Sequence, residues 1–335
     1  MEFRKYTSIE NSYNQEFLQS IIEEGLENEI FIVQEKAHGG NLSIWTNNGK
    51  DFKTAKRTAF LEPSDKFFNH QSVLETLTPK LIEVWNILNV RYDIQHMTFF
   101  GEIIGGVYPH PEIKNINSSI KVQKGVYYSP NNIFYAFDIL LNNNLFLSIE
   151  ESNELFSSIG FLYAKTLFKG SLKEVLNYPN TFQSTISKDL GLPPIEGNTC
   201  EGIVIKSLNN LNFENGKRVI LKNKNEKWAE REKNKKRKKK PIIGDKIKIL
   251  IQEIEGYVTE NRLNNVISKV GEISQKDFGK IMGMFSKDVI EDFQKDYKND
   301  ISNLKDKELK LVTKSITPKM AKLLKVYLHE SHNTI

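Results

Sequence analysis

The 335-residue chain has the length of roughly two domains, and its 39% hydrophobic, 10% aromatic and 27% charged residues are typical of a globular protein with an ample core. These values exclude a disordered, collagen-like or disulfide-stapled chain, and no apolar run approaches the ~20 residues of a membrane span. The net charge of +5 is concentrated, because residues 231–240 carry eight lysines and arginines and one glutamate.

Two features indicate the compartment. The N-terminal segment lacks the apolar stretch of a signal peptide, and the single cysteine, Cys200, has no partner for an internal disulfide. We therefore expect a cytoplasmic protein, intracellular or viral, that has no membrane association. We also expect a monomer.

The first two thirds of the chain show mainly strand patterns, with two helices interspersed. In chain order the sequence predicts a helix at 14–25, strands at 29–36, 41–45 and 51–58, a helix at 79–90, and strands at 96–104, 132–141, 201–206 and 217–224. Beyond the basic run, apolar residues recur at helical intervals. The predicted fold class is α+β: a domain of antiparallel sheets and helices over 1–230, a basic linker over 231–243, and a smaller all-helical domain over 244–335.

The basic run has two interpretations. It can be a solvated linker or localisation-type segment, or it can contact the phosphate backbone of a nucleic acid. Pro241 and Gly244 follow it, and the sequence changes character across it, which favours a domain boundary in either case.

Lys36 is the first residue with a candidate chemical role. It ends an apolar strand and is followed by Gly39 and Gly40, which would allow a phosphate-bearing ligand to approach the backbone. A lysine in this position can simply extend to solvent. Alternatively, it can be a nucleophile, since desolvation and nearby cations free the lone pair of an amine.

Five further segments place charged or aromatic residues at strand ends or along strands. They are Ala55-Lys56-Arg57-Thr58, Phe99-Phe100-Gly101-Glu102, Phe134 to Asp138, Glu201 to Lys206, and Leu221-Lys222-Asn223-Lys224. Lys222 and Lys224 are two residues apart and so share one face of a strand. Each segment alone also fits a surface ion pair, core packing or a solvated face.

Together with residues 36–41, these segments resemble in order and spacing the six motifs of the covalent nucleotidyltransferase superfamily, which contains ATP-dependent ligases and capping enzymes. His38 and Asn41 after the lysine are similar to the RNA ligase 2 family of double-strand RNA nick-sealing ligases. Residues 262–269 and 276–283 resemble the helical C-terminal domain of that family. The chain departs from the family pattern at Gly40 and Ala59, two small residues in predicted loops.

The resemblance implies an ATP-dependent RNA ligase of the RNA repair or editing type. Such an enzyme attaches AMP to a lysine, transfers it to a 5′-phosphate and joins that phosphate to a 3′-hydroxyl. The implied cofactors are ATP and Mg²⁺, for which Mn²⁺ can substitute, and the implied partner is nicked double-stranded RNA.

The resemblance also implies a role for individual residues. The catalytic residues are Lys36, Glu201, Lys222 and Lys224, and Glu201 also contacts the metal. Nucleotide contacts are assigned to Glu35, Lys36, Ala37, Asn41, Arg57, Glu102, Phe137, Lys222 and Lys224, with Phe137 stacking on adenine and Glu102 accepting from the ribose. RNA contacts are assigned to His38, Lys56, Arg57, Lys206 and Arg262, and Lys276 and Lys280 are further candidates.

Two alternatives remain open at this point. An ATP-dependent DNA ligase is disfavoured by His38 and by the helical pattern after residue 244. A catalytically silent RNA-binding protein is disfavoured by the complete set of Lys36, Glu102, Glu201 and the lysine pair at 222 and 224.

Overall fold

The computed structural model describes residues 1–229, 243–302 and 304–332, which form two compact units, Met1–Lys227 and Trp228–Ile335. The basic run at 231–240 lies outside the described residues, so its role stays a prediction. None of the helices in the described part of the chain is long and apolar enough to cross a membrane.

The first unit is built on two sheets. Its strands are β1 (Glu10–Asn11), β2 (Phe31–Glu35), β3 (Gly40–Thr46), β4 (Lys53–Lys56), β5 (Ala59–Phe60), β6 (Met97–Gly105), β7 (Asn132–Leu141), β8 (Leu145–Phe146), β9 (Thr166–Gly170), β10 (Gly202–Ser207) and β11 (Ile220–Lys224). One sheet has the order β1-β11-β10-β2-β9 and the other β5-β4-β3-β6-β7-β8. All neighbours are antiparallel except β1 and β11.

Helices cover the outer faces of these sheets. They are α1 (Gln15–Glu23), α2 (His70–Arg91), α3 (Ile149–Ile159), α4 (Leu172–Leu176) and α5 (Ile186–Asp189). Side-chain caps start three of them, because the oxygens of Asn14, Ser148 and Ser171 accept backbone N–H groups of the first turn. Apolar residues of α2 and α3 pack on the six-stranded sheet, and those of α1 and α4 pack on the five-stranded sheet.

The inner faces of the two sheets share a third apolar cluster. Tyr6, Trp45, Phe100 and Ile220 are buried there, and Phe137 packs against them. Since side chains alternate along a strand, each sheet sends one set of residues to its helices and the other set inward. The inner set carries most of the motif residues of the first unit.

A strand and a helix are among the predicted elements whose bounds differ in the structure. The strand predicted at 51–58 ends at Lys56, and Arg57 lies in the turn before β5. The helix predicted from residue 79 begins at His70, although Pro79 lies inside it. A proline removes one backbone hydrogen bond, and the carbonyl left without a donor belongs to the exposed Glu75, where water can serve.

The described residues of the second unit form helices and no strands. The helices are α6 (Ile243–Glu255), α7 (Glu260–Ser268), α8 (Phe278–Asp296), α9 (Lys298–Ile301), α10 (Asp306–Ser315) and α11 (Thr317–His332). Their core includes Leu263, Phe285 and Phe293, all fully buried. The predicted α+β class, with antiparallel sheets followed by a helical C-terminal region, is confirmed.

Arg262 requires a correction, because we expected it to contact RNA and the structure buries it. Its side chain is 2% exposed, and Nη1 lies 2.7 Å from Asp288 Oδ2 and 2.8 Å from Asp292 Oδ2. The guanidinium also lies over the ring of Tyr257. Arg262 therefore joins α7 to α8 from within the helical unit and does not present its charge to a ligand.

Replacing Arg262 by alanine should destabilise the protein by about 2–4 kcal/mol, because two aspartates lose the guanidinium that pairs with them and a buried volume is emptied. Urea unfolding of the full-length chain measures this loss. Lys280→Ala, at an exposed position of α8, is the matched control and should change stability little. Unchanged stability of Arg262→Ala together with weakened RNA binding would restore the surface-contact assignment.

Candidate active site

The candidate site lies between the inner faces of the two sheets of the first unit. Lys36 follows β2 directly, and its backbone N–H donates to the carbonyl of Gly202 at 3.0 Å. The register pairs Gly202 with Lys224 and Val204 with Lys222 across β10 and β11. Alternation therefore places Lys36, Lys222 and Lys224 on the same face of the five-stranded sheet, as the spacing of the two β11 lysines predicts.

A buried carboxylate links this group of cations. Glu201 is 1% exposed, and its Oε2 lies 2.8 Å from Lys36 Nζ while its Oε1 lies 2.6 Å from Lys224 Nζ. His38 Nδ1 lies 3.4 Å from Glu201 Oε2. The structure thus brings three residues of the motifs, Lys36, His38 and Lys224, around the carboxylate of a fourth, Glu201.

The charges around Glu201 determine its protonation state. Burial alone raises the pKa of the carboxyl, but the positive charges of Lys224 and Lys36 and the hydrogen bond to His38 outweigh that effect and hold the pKa well below its usual range. Glu201 is therefore a carboxylate over the whole neutral range. It fixes the amine of Lys36 in position and offsets the repulsion among the cations.

Glu102 lies on the other sheet, on the inner face of β6. Its register partner on β3 is Asn41, so the two side chains are cross-strand neighbours. Burial raises the pKa of Glu102 to about 7; the charges of Lys36 and Arg57 oppose the shift, and the charge of Glu201 adds to it. Lys36 and Arg57 are therefore near enough to Glu102 for their charges to act on it.

Gly39 permits the close packing of the nucleophile loop on β6. A Cβ at this position would clash with the carbonyl oxygen of Ile103 and with the side chain of Ile104, and it would lie 3.0 Å from Glu102 Oε2. The loop between Lys36 and β3 can approach β6 this closely only because residue 39 has no side chain.

The residues of the site fit ATP. Glu102 Oε2 is buried and has no hydrogen-bond partner in the part of the chain that the structure describes, so an acceptor is available for a ribose hydroxyl. The lysines opposite it supply positive charge for phosphates. The described residues contain no group of three or more His, Cys, Asp or Glu that could hold a metal ion. Glu201 as a single carboxylate fits Mg²⁺, which keeps several waters and is bound through few carboxylates and substrate phosphates.

Two predicted site residues have other roles in the structure. Glu35 projects to the opposite face from Lys36, where its carboxylate accepts from Ser184 Oγ at 2.6 Å and from both N and Oγ1 of Thr185 at 2.7 Å. The hydrogen-bonding capacity of its side chain is therefore used by the loop before α5, and the side chain does not point toward the site where the adenine base is expected. Lys206 is 2% exposed and donates to Asp138 Oδ1 and to the carbonyl of Phe137, both at 3.1 Å, so it faces the protein and not RNA.

The remaining predicted residues are found near these groups. Ala37 and His38 are buried in the loop after Lys36, and the N–H of His38 donates to Tyr128 Oη at 2.9 Å. Lys56 ends β4, where it pairs with Ala59 of the edge strand β5, and it is partly exposed. Phe137 is partly exposed on the inner face of β7.

Three residues of this region were missed by the sequence analysis. Tyr128 holds the loop after the nucleophile, and Tyr6 and Arg218 contact Asp138 beside Phe137. Arg218 precedes Lys222 by four residues in a strand-like segment, so alternation could have placed it on the same face. No sequence pattern singles out Tyr6 or Tyr128.

The chain is similar to known protein families and to individual proteins. A family model described as RNA ligase matches residues 29–224, and one described as T4 RNA ligase 2 C-terminal matches residues 243–322. The chain is 27% identical to the mitochondrial RNA-editing ligase 2 of Trypanosoma brucei brucei, over 90% of this chain and 85% of that protein. It is 25% identical to RNA-editing ligase 1 of the same organism, over 83% and 73%.

Solved structures of the Naegleria gruberi RNA ligase are more distant. A variant solved with AMP and Mn has 18% identity and a TM-score of 0.46, and another solved with ATP and Mn has 16% identity and a TM-score of 0.45. Each comparison covers 68% of this chain but only 57% and 58% of the Naegleria chains.

The raised pKa of Glu102 predicts a pH-dependent effect on stability. Since the folded-state pKa of about 7 exceeds the ordinary value of 4.5, the group favours the folded state when protonated, and this stability is lost as pH rises through 7. Glu102→Gln cannot ionise, so its melting temperature relative to wild type should rise by about 2–6 °C between pH 5 and pH 8. Glu112→Gln, at an exposed position, is the control, and its melting temperature relative to wild type should not change between pH 5 and pH 8. The same result for Glu102→Gln would contradict the raised pKa.

Proposed function

The chain belongs to the RNA ligase family, and from this premise we propose that it works through a covalent lysyl-AMP and seals nicks in duplex RNA that present a 3′-hydroxyl and a 5′-phosphate. The observation that carries the proposal is the position of Lys36. Its amine is held at 2.8 Å by Glu201, among further lysines on one face, and opposite the buried Glu102 Oε2, which has no hydrogen-bond partner among the residues that the structure describes. This arrangement suits an amine nucleophile between a triphosphate and a ribose.

The first proposed step is attack on ATP. The ammonium of Lys36 first loses a proton to solvent. The lone pair of Nζ then forms a bond to the α-phosphorus, the bond from that phosphorus to the bridging oxygen breaks, and pyrophosphate leaves. The nitrogen releases a second proton to solvent to give the neutral phosphoramidate. Lys222 and Lys224 flank the phosphates and stabilise the negative charge that develops on them, since such displacement depends mainly on positioning and electrostatics.

The later steps transfer the activated phosphate. An oxygen of the RNA 5′-phosphate attacks the AMP phosphorus and releases Lys36. The 3′-hydroxyl then attacks the activated 5′-phosphate, and AMP leaves. His38 lies in the loop before β3, Lys56 ends β4, and Arg57 lies in the turn that follows it. These three residues are proposed to contact the phosphates of the RNA ends.

Nucleotide recognition is assigned to the six-stranded sheet. Phe137 is proposed to stack on adenine, since it is aromatic, partly exposed and on the inner face. Glu102 accepts from the ribose, and Asn41, its cross-strand neighbour, lies toward the phosphates. The backbone of Ala37 is the proposed contact to the edge of the base.

A divalent cation is part of the proposal. Mg²⁺, with Mn²⁺ as a substitute, would neutralise part of the triphosphate charge, and Glu201 is its proposed protein contact. Both oxygens of Glu201 pair with lysines, one with Lys36 and one with Lys224, so binding of the metal would require one of these ammonium groups to give up its contact.

The helical unit is proposed to bind the duplex. A nick is gripped on both sides through phosphates and 2′-hydroxyls, which requires more surface than a nucleotide does. Lys276 lies just before α8 and Lys280 lies in its first turn; both are exposed, and they are the proposed phosphate contacts of this unit.

We also propose the predicted domain boundaries, with the linker at 231–243, and a monomer as the working state.

Lys36→Ala should abolish the attachment of AMP to the protein, because the phosphoramidate requires this amine. The measurement is incubation with α-labelled ATP and Mg²⁺, denaturation, and detection of label on the polypeptide. Lys53→Ala, at an exposed position of β4, is the matched control and should label like wild type. Sealing of nicked RNA that is already adenylylated should persist in Lys36→Ala, since the last step does not use the amine.

Other outcomes would redirect the proposal. Label on a different lysine in Lys36→Ala would show that the nucleophile is misassigned. If AMP still becomes attached to the protein when a chelator is present during the incubation, the metal has no part in the first step. Equal sealing of nicked RNA and nicked DNA duplexes of one sequence would contradict specificity for RNA.

Neutralising Lys276 and Lys280 together by glutamine should weaken binding of nicked duplex RNA and reduce the slope of log affinity against log salt by about 1–2, because fewer counterions are released. Lys173→Gln with Lys188→Gln, both exposed in the first unit, is the matched control for the change in net charge. Binding titrations at several salt concentrations measure the slope. An equal reduction in both double variants would show a general charge effect and no specific contact.

A further inference from the structure

A buried cluster of charges lies beside Phe137 and is not used by the chemistry proposed above. Asp138 is fully buried, and both of its oxygens are occupied. Oδ2 accepts from Tyr6 Oη at 2.5 Å and from Arg218 Nη1 at 2.8 Å, and Oδ1 accepts from Arg218 Nη2 and Lys206 Nζ, each at 3.1 Å. Arg218 also bonds to Asn210 Oδ1, and its guanidinium lies 4.0 Å from the ring centroid of Phe146.

The cluster controls the residue next to Asp138. The pairing of β6 with β7 passes from Phe100–Asp138 to Gly101–Ala136, so Phe137 is an extra residue in a bulge. A bulge interrupts alternation and re-aims a side chain. As a result, Phe137 and Asp138 both face the interior between the sheets, and both contact Tyr6 and Lys206.

Phe137 is held at both its backbone and its ring. Its carbonyl accepts from Lys206 Nζ at 3.1 Å, and the same Nζ lies 5.3 Å from the centroid of its ring. The ring of Tyr6 packs edge-on at 5.1 Å on the Phe137 ring. Lys206 in turn is held by Asp138, and Asp138 by Tyr6 and Arg218.

The charges of the cluster stabilise one another. Burial alone would raise the pKa of Asp138, but Arg218, Lys206 and the Tyr6 hydroxyl outweigh it and lower the pKa to about 2. Burial lowers the pKa of Lys206 to about 8, and the charge of Asp138 opposes that shift. Loss of any of these contacts would leave a buried charge unpaired, which favours the observed position of Lys206.

We propose that Tyr6 and Arg218 are positioning residues for nucleotide binding: they fix Asp138, and through Lys206 they fix the bulged Phe137 in the orientation that stacks on adenine. This inference rests on the proposed function, since it takes Phe137 as the base platform. The competing explanation is that the cluster only stabilises the fold, in which case its loss lowers the melting temperature and leaves nucleotide affinity unchanged.

The test measures the affinity for ATP by calorimetry in the Lys36→Ala background, where no covalent transfer follows binding. Tyr6→Phe removes one hydroxyl and keeps the ring contacts, and it should raise the Kd for ATP about 3- to 10-fold. The matched control is Tyr108→Phe, which removes another buried tyrosine hydroxyl, one that donates to the carbonyl of Pro193. Its Kd should stay within about twofold of the parent.

Three further measurements separate positioning from stability. The Kd for pyrophosphate should not change in Tyr6→Phe, because pyrophosphate has no base. Arg218→Lys keeps the charge but loses the two-pronged contact to Asp138, and should weaken ATP binding in the same direction as Tyr6→Phe. In a Phe137→Ala background Tyr6→Phe should have no additional effect on ATP binding, because its effect passes through that ring.

The outcomes distinguish this inference from the proposed function. If Tyr6→Phe binds ATP like Tyr108→Phe at a similar melting temperature, or loses ATP and pyrophosphate affinity equally, the positioning role is wrong, and labelling of the chain with intact Lys36 still tests the ligase. If the expected differences in Kd occur but wild type never retains AMP, the covalent mechanism is wrong and the positioning role stands. If no ATP binds to any variant, both are wrong.

Discussion

The burial of the Glu201 carboxylate among Lys36, Lys224 and His38 is the interaction on which the rest of the site depends. Removing a carboxylate from water costs on the order of several kcal/mol unless it is paired, and lysines crowded on one sheet face repel each other. The attraction between the carboxylate and the lysines offsets both the cost of burying the carboxylate and the repulsion among the lysines. The protein can therefore pack an amine nucleophile and its neighbouring cations in advance, without a bound nucleotide to hold them together.

The same site depends on strand register across two sheets. Lys36 and Lys224 face inward because their strands pair with β10 in one register, and a slip of one residue would bring Glu35 inward instead. The apolar cluster of α1 and α4 against the outer face specifies that register, since the same slip would expose its buried residues. The chemistry of the inner face is thus specified by the packing of the outer face.

Much of this arrangement could be predicted from the sequence. Period-two alternation placed Lys222 and Lys224 on one face, and the helical pattern after residue 244 predicted the helices of the second unit. Arg262 was misjudged because a charged residue usually faces solvent, yet it shares the apolar face of α7 with Val266, which the spacing does contain. The role of Tyr6 could not be predicted from the sequence, because its partner Asp138 is 132 residues away in the chain and no local pattern encodes that contact.

The missing side chain at Gly39 has a consequence for the dimensions of the pocket. With no space for a Cβ against Ile103, the loop after Lys36 packs directly on the backbone of β6. The separation of the two backbone segments that carry Lys36 and Glu102 is therefore set by direct contact. In the proposed function these two groups meet the α-phosphate and the ribose of one nucleotide, whose covalent geometry is invariant. The close packing that Gly39 allows thus sets the size of the pocket. That size matches the fixed distance between the phosphate and the ribose of a nucleoside monophosphate.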